Sequence, residues 1–200
     1  MSTMTTTLPD TRTARRAMID SQLRTSGVNE EYVLARMMAV PREDYLPAEK
    51  ATLAYIDRAV ALGSAGHLAA PLFYGKLLLE AAPGPSDRVL VVSGGTGYLA
   101  ALVGPLVAEV TEVTAEEASA MTGTGTYTLI LVDGAIEQLS EGLAGQLSED
   151  GRIVTGLVLR QVTRLAAGRK IAGAVNLVAV EDLGIPVLPA FAAPRSWTFA

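Results

Sequence analysis

Two short runs constrain this chain more than anything else in it: VLVV at 89–92 and YTLILVD at 127–133. Both are apolar with almost no alternation. A strand with one wet face alternates, so runs like these need apolar cover on both faces. Helix-like stretches at 98–107 and 139–147 (LSEGLAGQL) follow them. Further strand-like pieces are AEVTEVT (108–114), GRIVTGLVL (151–159), AVNLVAV (174–180) and SWTF (196–199). The alternation predicts an α/β fold: a mainly parallel sheet flanked by helices, with an antiparallel ending.

Upstream, Ala14, Ala17, Met18 and Leu23 recur at helical spacing, with Gly27 placed to close that segment. A second helix is expected from Asn29 as cap through Val33, Leu34, Met37, Met38 and Val40, stopped by Pro41. Residues 47–70 show no period, and LFYGKLLLEAA then reads as a third helix. The expected organisation is a flexible arm (1–11), a helical, substrate-covering cap (12–85) and a sheet domain (86–200). Arg15, Arg16 and Arg24 read as surface residues or as partners of the acidic surface.

Composition excludes several classes of function. A net charge of −5 and a pI near 4.9 argue against a nucleic-acid partner. The absence of cysteine removes disulfides, thiolate catalysis and cysteine-bound metal, and one histidine, His67, cannot build a histidine metal centre. No apolar stretch is long enough to span a membrane and the polar, threonine-rich start is no secretory signal, so a soluble cytoplasmic protein is expected.

Ser93-Gly94-Gly95-Thr96-Gly97 links the first apolar run to a helix-like stretch. Such a loop either cradles a cofactor or lets a helix and a sheet pack closely. A nicotinamide-dependent dehydrogenase is a poor fit: its glycine loop would open the chain, and no tyrosine here precedes a lysine by four residues.

QLRTSGV, VLARMMAVPREDYLP and AYID, in that order, resemble the opening of protein-L-isoaspartate O-methyltransferases. RVLVVSGGTGY is similar to that family's first cofactor motif, YTLILVDGAIEQLSEGLAGQLSEDGRIV to a later strand–helix–strand unit, and PVLPAFAAP to the ending of bacterial members. The resemblance runs from about residue 14 onward. It implies a Rossmann-like class I methyltransferase fold with S-adenosylmethionine as methyl donor and isoaspartyl residues of damaged proteins as substrate. On the cofactor side it implicates Ser93, Gly94, Gly95, Gly97, Tyr98, Glu116 and Asp133, and on the substrate loop His67. No catalytic residue and no metal site is assigned.

Four departures accompany the resemblance. The acidic position of the glycine motif is Val91 and its first glycine is Ser93. The ribose-binding carboxylate expected at the end of the second strand falls on Thr114, with Glu116 and Glu117 just beyond. Only AEEASAMTGTGT separates Thr114 from Tyr127, room for one short crossover, so a strand and helix of the usual sheet should be lacking. The second strand would then be an edge, guarded by Glu109 and Glu112. Finally, the substrate loop reads GHLAAP, with alanine near the family's serine.

Some residues keep two readings. His67 orients a substrate carboxylate or is solvated or bonded locally. Asp133 faces a ligand at a strand end or caps the turn with Gly134, and Glu116–Glu117 is a ligand group or solvated charge. Two functions follow: an isoaspartyl methyltransferase with weakened or lost activity, or an inactive methyltransferase-fold protein serving binding or assembly, with a homodimer open to either.

Overall fold

The computed structural model describes residues 11–193. Helices α1 (Thr11–Met18), α2 (Glu31–Ala39) and α3 (Pro71–Ala81) come first, with the short antiparallel pair β1 (Val60–Ala61) and β2 (His67–Leu68) between the last two. There follow β3 (Arg88–Ser93), α4 (Tyr98–Val103), β4 (Glu109–Thr114), α5 (Ala115–Ser119), β5 (Tyr127–Ile136), α6 (Glu141–Gly145), β6 (Leu147–Leu159), β7 (Val162–Ile171) and β8 (Ala174–Asp182). Six strands form one sheet in the order β4-β3-β5-β6-β7-β8. The first four pair in parallel, while β7 and β8 are antiparallel.

The two apolar runs are covered on both faces. Val89, Val91, Leu129 and Leu131 join Met18, Leu23, Met37, Phe73 and Leu77 in one core. Their alternate neighbours Leu90, Val92, Ile130 and Val132 face Ala118, Leu143, Leu188 and Phe191 on the other side. Successive strand residues point to opposite faces, so each face receives every second residue of a continuous apolar run. The second layer is thin, since α5 and α6 have only five residues each.

β4 is the sheet edge, as the short crossover implies. Thr114, at its end, caps α5: its hydroxyl accepts from Glu117 N (3.1 Å), and Glu117 Oε2 accepts from Thr114 N (2.8 Å). This reciprocal capping box lets the chain leave β4 and turn directly toward β5.

Several local expectations are corrected. α2 begins at Glu31 rather than beside Asn29, and no side chain caps it. α1 runs on through a π turn (Ile19–Leu23) and a 3-10 turn before Gly27 closes it at φ +85°. The helix expected over 98–107 tightens to a 3-10 turn at Gly104–Leu106, where Pro105 has no N–H to continue the ladder. β5 continues beyond Asp133 to Ile136, because Ala135 exchanges hydrogen bonds with Pro186 O (2.7 Å) and Leu188 N (2.8 Å). β7 has no counterpart among the strands expected from sequence, its arginines, lysine and glycine masking the alternation. Arg15 is buried rather than superficial, donating to Tyr55 Oη (2.7 Å), Met38 O (2.9 Å) and Glu43 (3.0 Å). Apart from Thr11, the expected arm lies outside the described residues, as does SWTF. Among the described residues no helix is long and apolar enough to cross a membrane.

Arg152 on β6 ties the layers together. It donates to Ala81 O (2.7 Å) and Ala82 O (3.0 Å) at the end of α3, and pairs through both terminal nitrogens with Asp87 (2.7 and 3.1 Å), just before β3. Asp87 also accepts from Thr128 Oγ1 and Gly84 N. Burial opposes its charge, but these donors prevail and bring its carboxyl down to about 2 from 3.8. The stabilisation is present above the unfolded value and is lost as pH falls toward 2. Asp87→Asn should therefore cost about 2 kcal/mol at neutral pH, with the gap to wild type closing near pH 2 in urea titrations. A gap unchanged with pH would remove this pair from the account.

Candidate active site

β3, β4 and β5 point their carboxyl ends toward one side of the sheet, where crevices form in open α/β folds. A cavity of about 630 Å³ opens there. One wall is the glycine loop (Ser93, Gly94, Gly95, Gly97), another the loop Gly63–His67, a third the end of β4 with Glu112, Thr114 and Glu116, and the last Val187–Pro189. Ser93, Gly94, Gly95, Gly97, Glu116 and His67, all singled out from sequence, line this one space.

The glycine loop and the 63–67 loop meet backbone to backbone. His67 N donates to Gly94 O (2.9 Å). A Cβ on Gly66 would lie 2.0 Å from Gly94 O, and one on Gly95 1.9 Å from Ala65 O. Gly94 could take no side chain either, as its Cβ would come within 2.5 Å of Asp133 O and 2.7 Å of His67 Nε2. Gly97 differs: its φ is +70°, and the nearest atoms to a Cβ there are the Glu112 carboxylate oxygens, at 3.6 and 3.7 Å. All three glycines border the cavity, but Gly94 and Gly95 also make the loop–loop contact, whereas Gly97 takes no part in it.

Beneath Gly94 lies a buried polar cluster. Asp133, 1% exposed, accepts from Tyr74 Oη (3.1 Å), and Tyr74 Oη in turn accepts from Ala69 N (3.1 Å). His67 Nε2–H donates to Asp133 O (3.0 Å), which assigns that proton and leaves Nδ1 as an acceptor only. Burial lowers the His67 pKa and keeps the ring neutral, so its 3.9 Å approach to Asp133 Oδ1 is not an ion pair. Asp133 Oδ1 makes no hydrogen bond. Burial raises the Asp133 carboxyl to about 7; Tyr74, the Gly94 backbone and Arg42 oppose the rise, and the Glu112 charge adds to it.

Arg42 was not legible from sequence as part of this region. Fully buried, it donates to Ala54 O (2.6 Å) and Ala69 O (2.7 Å), with its guanidinium 5.5 Å from the Tyr74 ring centre and 5.1 Å from that of Tyr98. Tyr98 is a buried aromatic partner of Tyr45, Tyr74 and Arg42 and does not line the cavity. Asp133 likewise stands behind the Gly94 wall. It neither ends β5 nor caps the next turn, because its carboxyl points into the packed interior. Glu112, read as an edge guard, faces the cavity. Its register could have revealed this: Glu112 pairs with Val91, so the two share one face of the sheet.

Two predictions follow from this geometry. Gly95→Ala should destabilise the protein by about 3 kcal/mol or more, since it adds a backbone clash to a left-handed residue. Gly97→Ala should cost only about 1–2 kcal/mol, the left-handed penalty alone. Melting temperatures without ligand compare them, and equal losses would contradict the division of labour in the loop. For Asp133, the native state holds its proton between about pH 4 and 7 whereas the unfolded chain does not. Stability should therefore fall as pH rises through that window. Asp133→Asn should remove this decline, leaving the variant ahead of wild type by on the order of 2–4 kcal/mol above pH 7. Parallel pH profiles would show that the carboxyl is not held protonated.

Comparison with known proteins supplies the affiliation. The family model described as Protein-L-isoaspartate(D-aspartate) O-methyltransferase matches residues 13–124. A protein-L-isoaspartate O-methyltransferase of Koribacter versatilis is 32% identical over 193 residues, covering 84% of this chain and 87% of the relative. One from Roseiflexus sp. strain RS-1 is 32% identical over 181 residues, covering 78% and 83%. Among solved structures, that of a Plasmodium falciparum protein-L-isoaspartate O-methyltransferase in complex with S-adenosyl-L-homocysteine superposes with a TM-score of 0.68 at 17% identity, over 88% of this chain and 98% of the other. A second structure of a protein so named gives 0.70 at 17% identity, over 87% and 65%. These structures share the Rossmann-like methyltransferase fold. With a matching family model over more than half its length and close relatives along most of it, the chain belongs to the protein-L-isoaspartate O-methyltransferase family.

Proposed function

We propose that this chain transfers a methyl group from S-adenosylmethionine to isoaspartyl carboxylates of damaged proteins, in the cytoplasm. The observation that carries the reading is the cavity at the carboxyl ends of β3, β4 and β5, bounded by the glycine loop on one side and the 63–67 loop on the other. Its volume, about 630 Å³, suits a ligand of nucleoside size. Gly97 leaves backbone open to close approach, and Ser93, Gly94 and Gly95 would border the donor, with Glu116 at the mouth.

The donor supplies an electrophilic methyl group. An acceptor carboxylate is already ionised at neutral pH, so the chain need not provide a base. Its contribution is alignment of the two partners and exclusion of water. The loop–loop contact supports this by fixing the acceptor side against the donor side through backbone alone. His67, with its only ring N–H engaged by Asp133 O, offers an acceptor and so suits a donor group of the substrate better than its carboxylate.

The short crossover, the Thr114 cap and Ala69 all reduce what surrounds the donor and acceptor, which points to weak affinity. Calorimetric titration with S-adenosylhomocysteine tests the reading, followed by methyl transfer to an isoaspartyl peptide. A micromolar dissociation constant, about −8 kcal/mol, with methylation of the isoaspartyl but not the aspartyl peptide is expected. No binding and no thermal shift would overturn the proposal and leave a methyltransferase fold used for binding or assembly.

A further inference from the structure

The two edges of the sheet are built differently. β4, at one edge, carries the exposed carboxylates Glu109 and Glu112, and charge along an edge discourages a further strand. β8, at the other, runs AVNLVAV from 174 to 180 without a charge or a proline. Among the described residues β7 is its only neighbour in the sheet. Val178 is 66% exposed, Val180 49% and, on the adjoining end of β7, Ile171 63%. An uncharged, valine-rich edge of this kind is a template for another strand.

The ladder behind the edge fixes which groups it offers. β7 and β8 keep one register from Ala166↔Ala179 to Ile171↔Ala174, where the turn Ala172-Gly173 joins them with both residues at positive φ (+51° and +80°). A two-residue turn closes on a hydrogen-bonded pair, and bonded and non-bonded pairs then alternate along the ladder. Asn176 and Val178 therefore bond inward to β7, while Val175, Leu177 and Ala179 turn their N–H and C=O outward.

Charge about this strand suits a second copy. Glu181 and Asp182 close β8. Beside its start lie Arg169 and Lys170 of β7, opposite Asn176 and Val175. Both donate to backbone carbonyls, and neither has a carboxylate partner among the described residues. Antiparallel pairing of two β8 strands brings the acidic end of each toward the basic end of the other, whereas parallel pairing would set the acidic ends together.

We propose that β8 is the contact of a homodimer, in which two copies pair their β8 strands antiparallel about a two-fold axis at Val178. Leu177 of each copy then exchanges backbone hydrogen bonds with Ala179 of the other. Val178 meets its own counterpart in a non-bonded pair, where side chains stand closest. The two six-stranded sheets become continuous, the exposed valines cover one another, and the contact is self-complementary, as a two-fold demands. No residue of β8 lines the cavity described above, so both sites of the dimer stay open.

The test uses the full-length chain and exploits its lack of cysteine. Sedimentation velocity over a concentration series should show a monomer–dimer equilibrium. Val178→Lys sets two like charges face to face at the axis and should raise the dissociation constant about tenfold or more, with the melting temperature of the dilute protein unchanged. Val178→Cys gives a second readout, since Cα atoms of a non-bonded pair lie about 4.5 Å apart, within disulfide reach. Under mild oxidation it should cross-link into a single dimeric species, and Glu109→Cys on the charged edge should not. A wild type that stays monomeric at every concentration, a dimer indifferent to Val178→Lys, or Val178→Cys cross-linking no faster than Glu109→Cys would overturn the assignment. Open-ended assemblies in place of a dimer would overturn it too.

Discussion

Two loops meet in this protein with no side chain between them, and the site depends on that contact. Ala65 and Gly66 lie so close to Gly94 and Gly95 that a methyl group on either Gly66 or Gly95 would overlap a carbonyl oxygen. The loop after β3 is held by the parallel sheet, while the 63–67 loop belongs to the region before it. Only glycine lets them touch, because the approach needs both the absence of Cβ and the positive φ of Gly66 and Gly95. Two walls of the cavity are thereby fixed relative to one another.

Below that contact, polar groups are buried that a core would ordinarily exclude. Arg42 holds Ala69 and stacks against two tyrosines, Tyr74 links Ala69 to Asp133, and Asp133 receives the His67 ring. Each partner offsets part of another's desolvation, yet Arg42 Nη1 and Asp133 Oδ1 remain unmatched. The network joins the turn after α2, helix α3, residues 67–69 and β5.

The short crossover shapes the opposite side. With α5 springing directly from Thr114, the layer over Leu90, Val92, Ile130 and Val132 is built from two five-residue helices and the segment around Phe191. The same C-terminal segment pairs with the end of β5 and supplies Val187, Leu188 and Pro189 to the cavity. Residues near the chain's end thus wall a site whose glycine loop lies some 90 positions earlier. The hydroxyl at Thr114, at the strand end where the family resemblance places a ribose carboxylate, is engaged as a helix cap.

The sequence by itself determined the doubly covered parallel sheet, the edge position of β4, the family and the glycine loop. Each rests on neighbours in the chain: continuous apolar runs, a twelve-residue connection, ordered local motifs. It did not reveal β7, because arginines, lysine and glycine on a half-exposed hairpin blur the two-residue period. Nor could it show that Gly95 lies against Ala65 while also bordering the cavity, that Asp133 is buried against Tyr74, or that Glu112 borders the cavity. Those facts depend on which residues distant in sequence share a volume and on which face a strand presents. Register and packing decide that, and they exist only once the tertiary structure has formed.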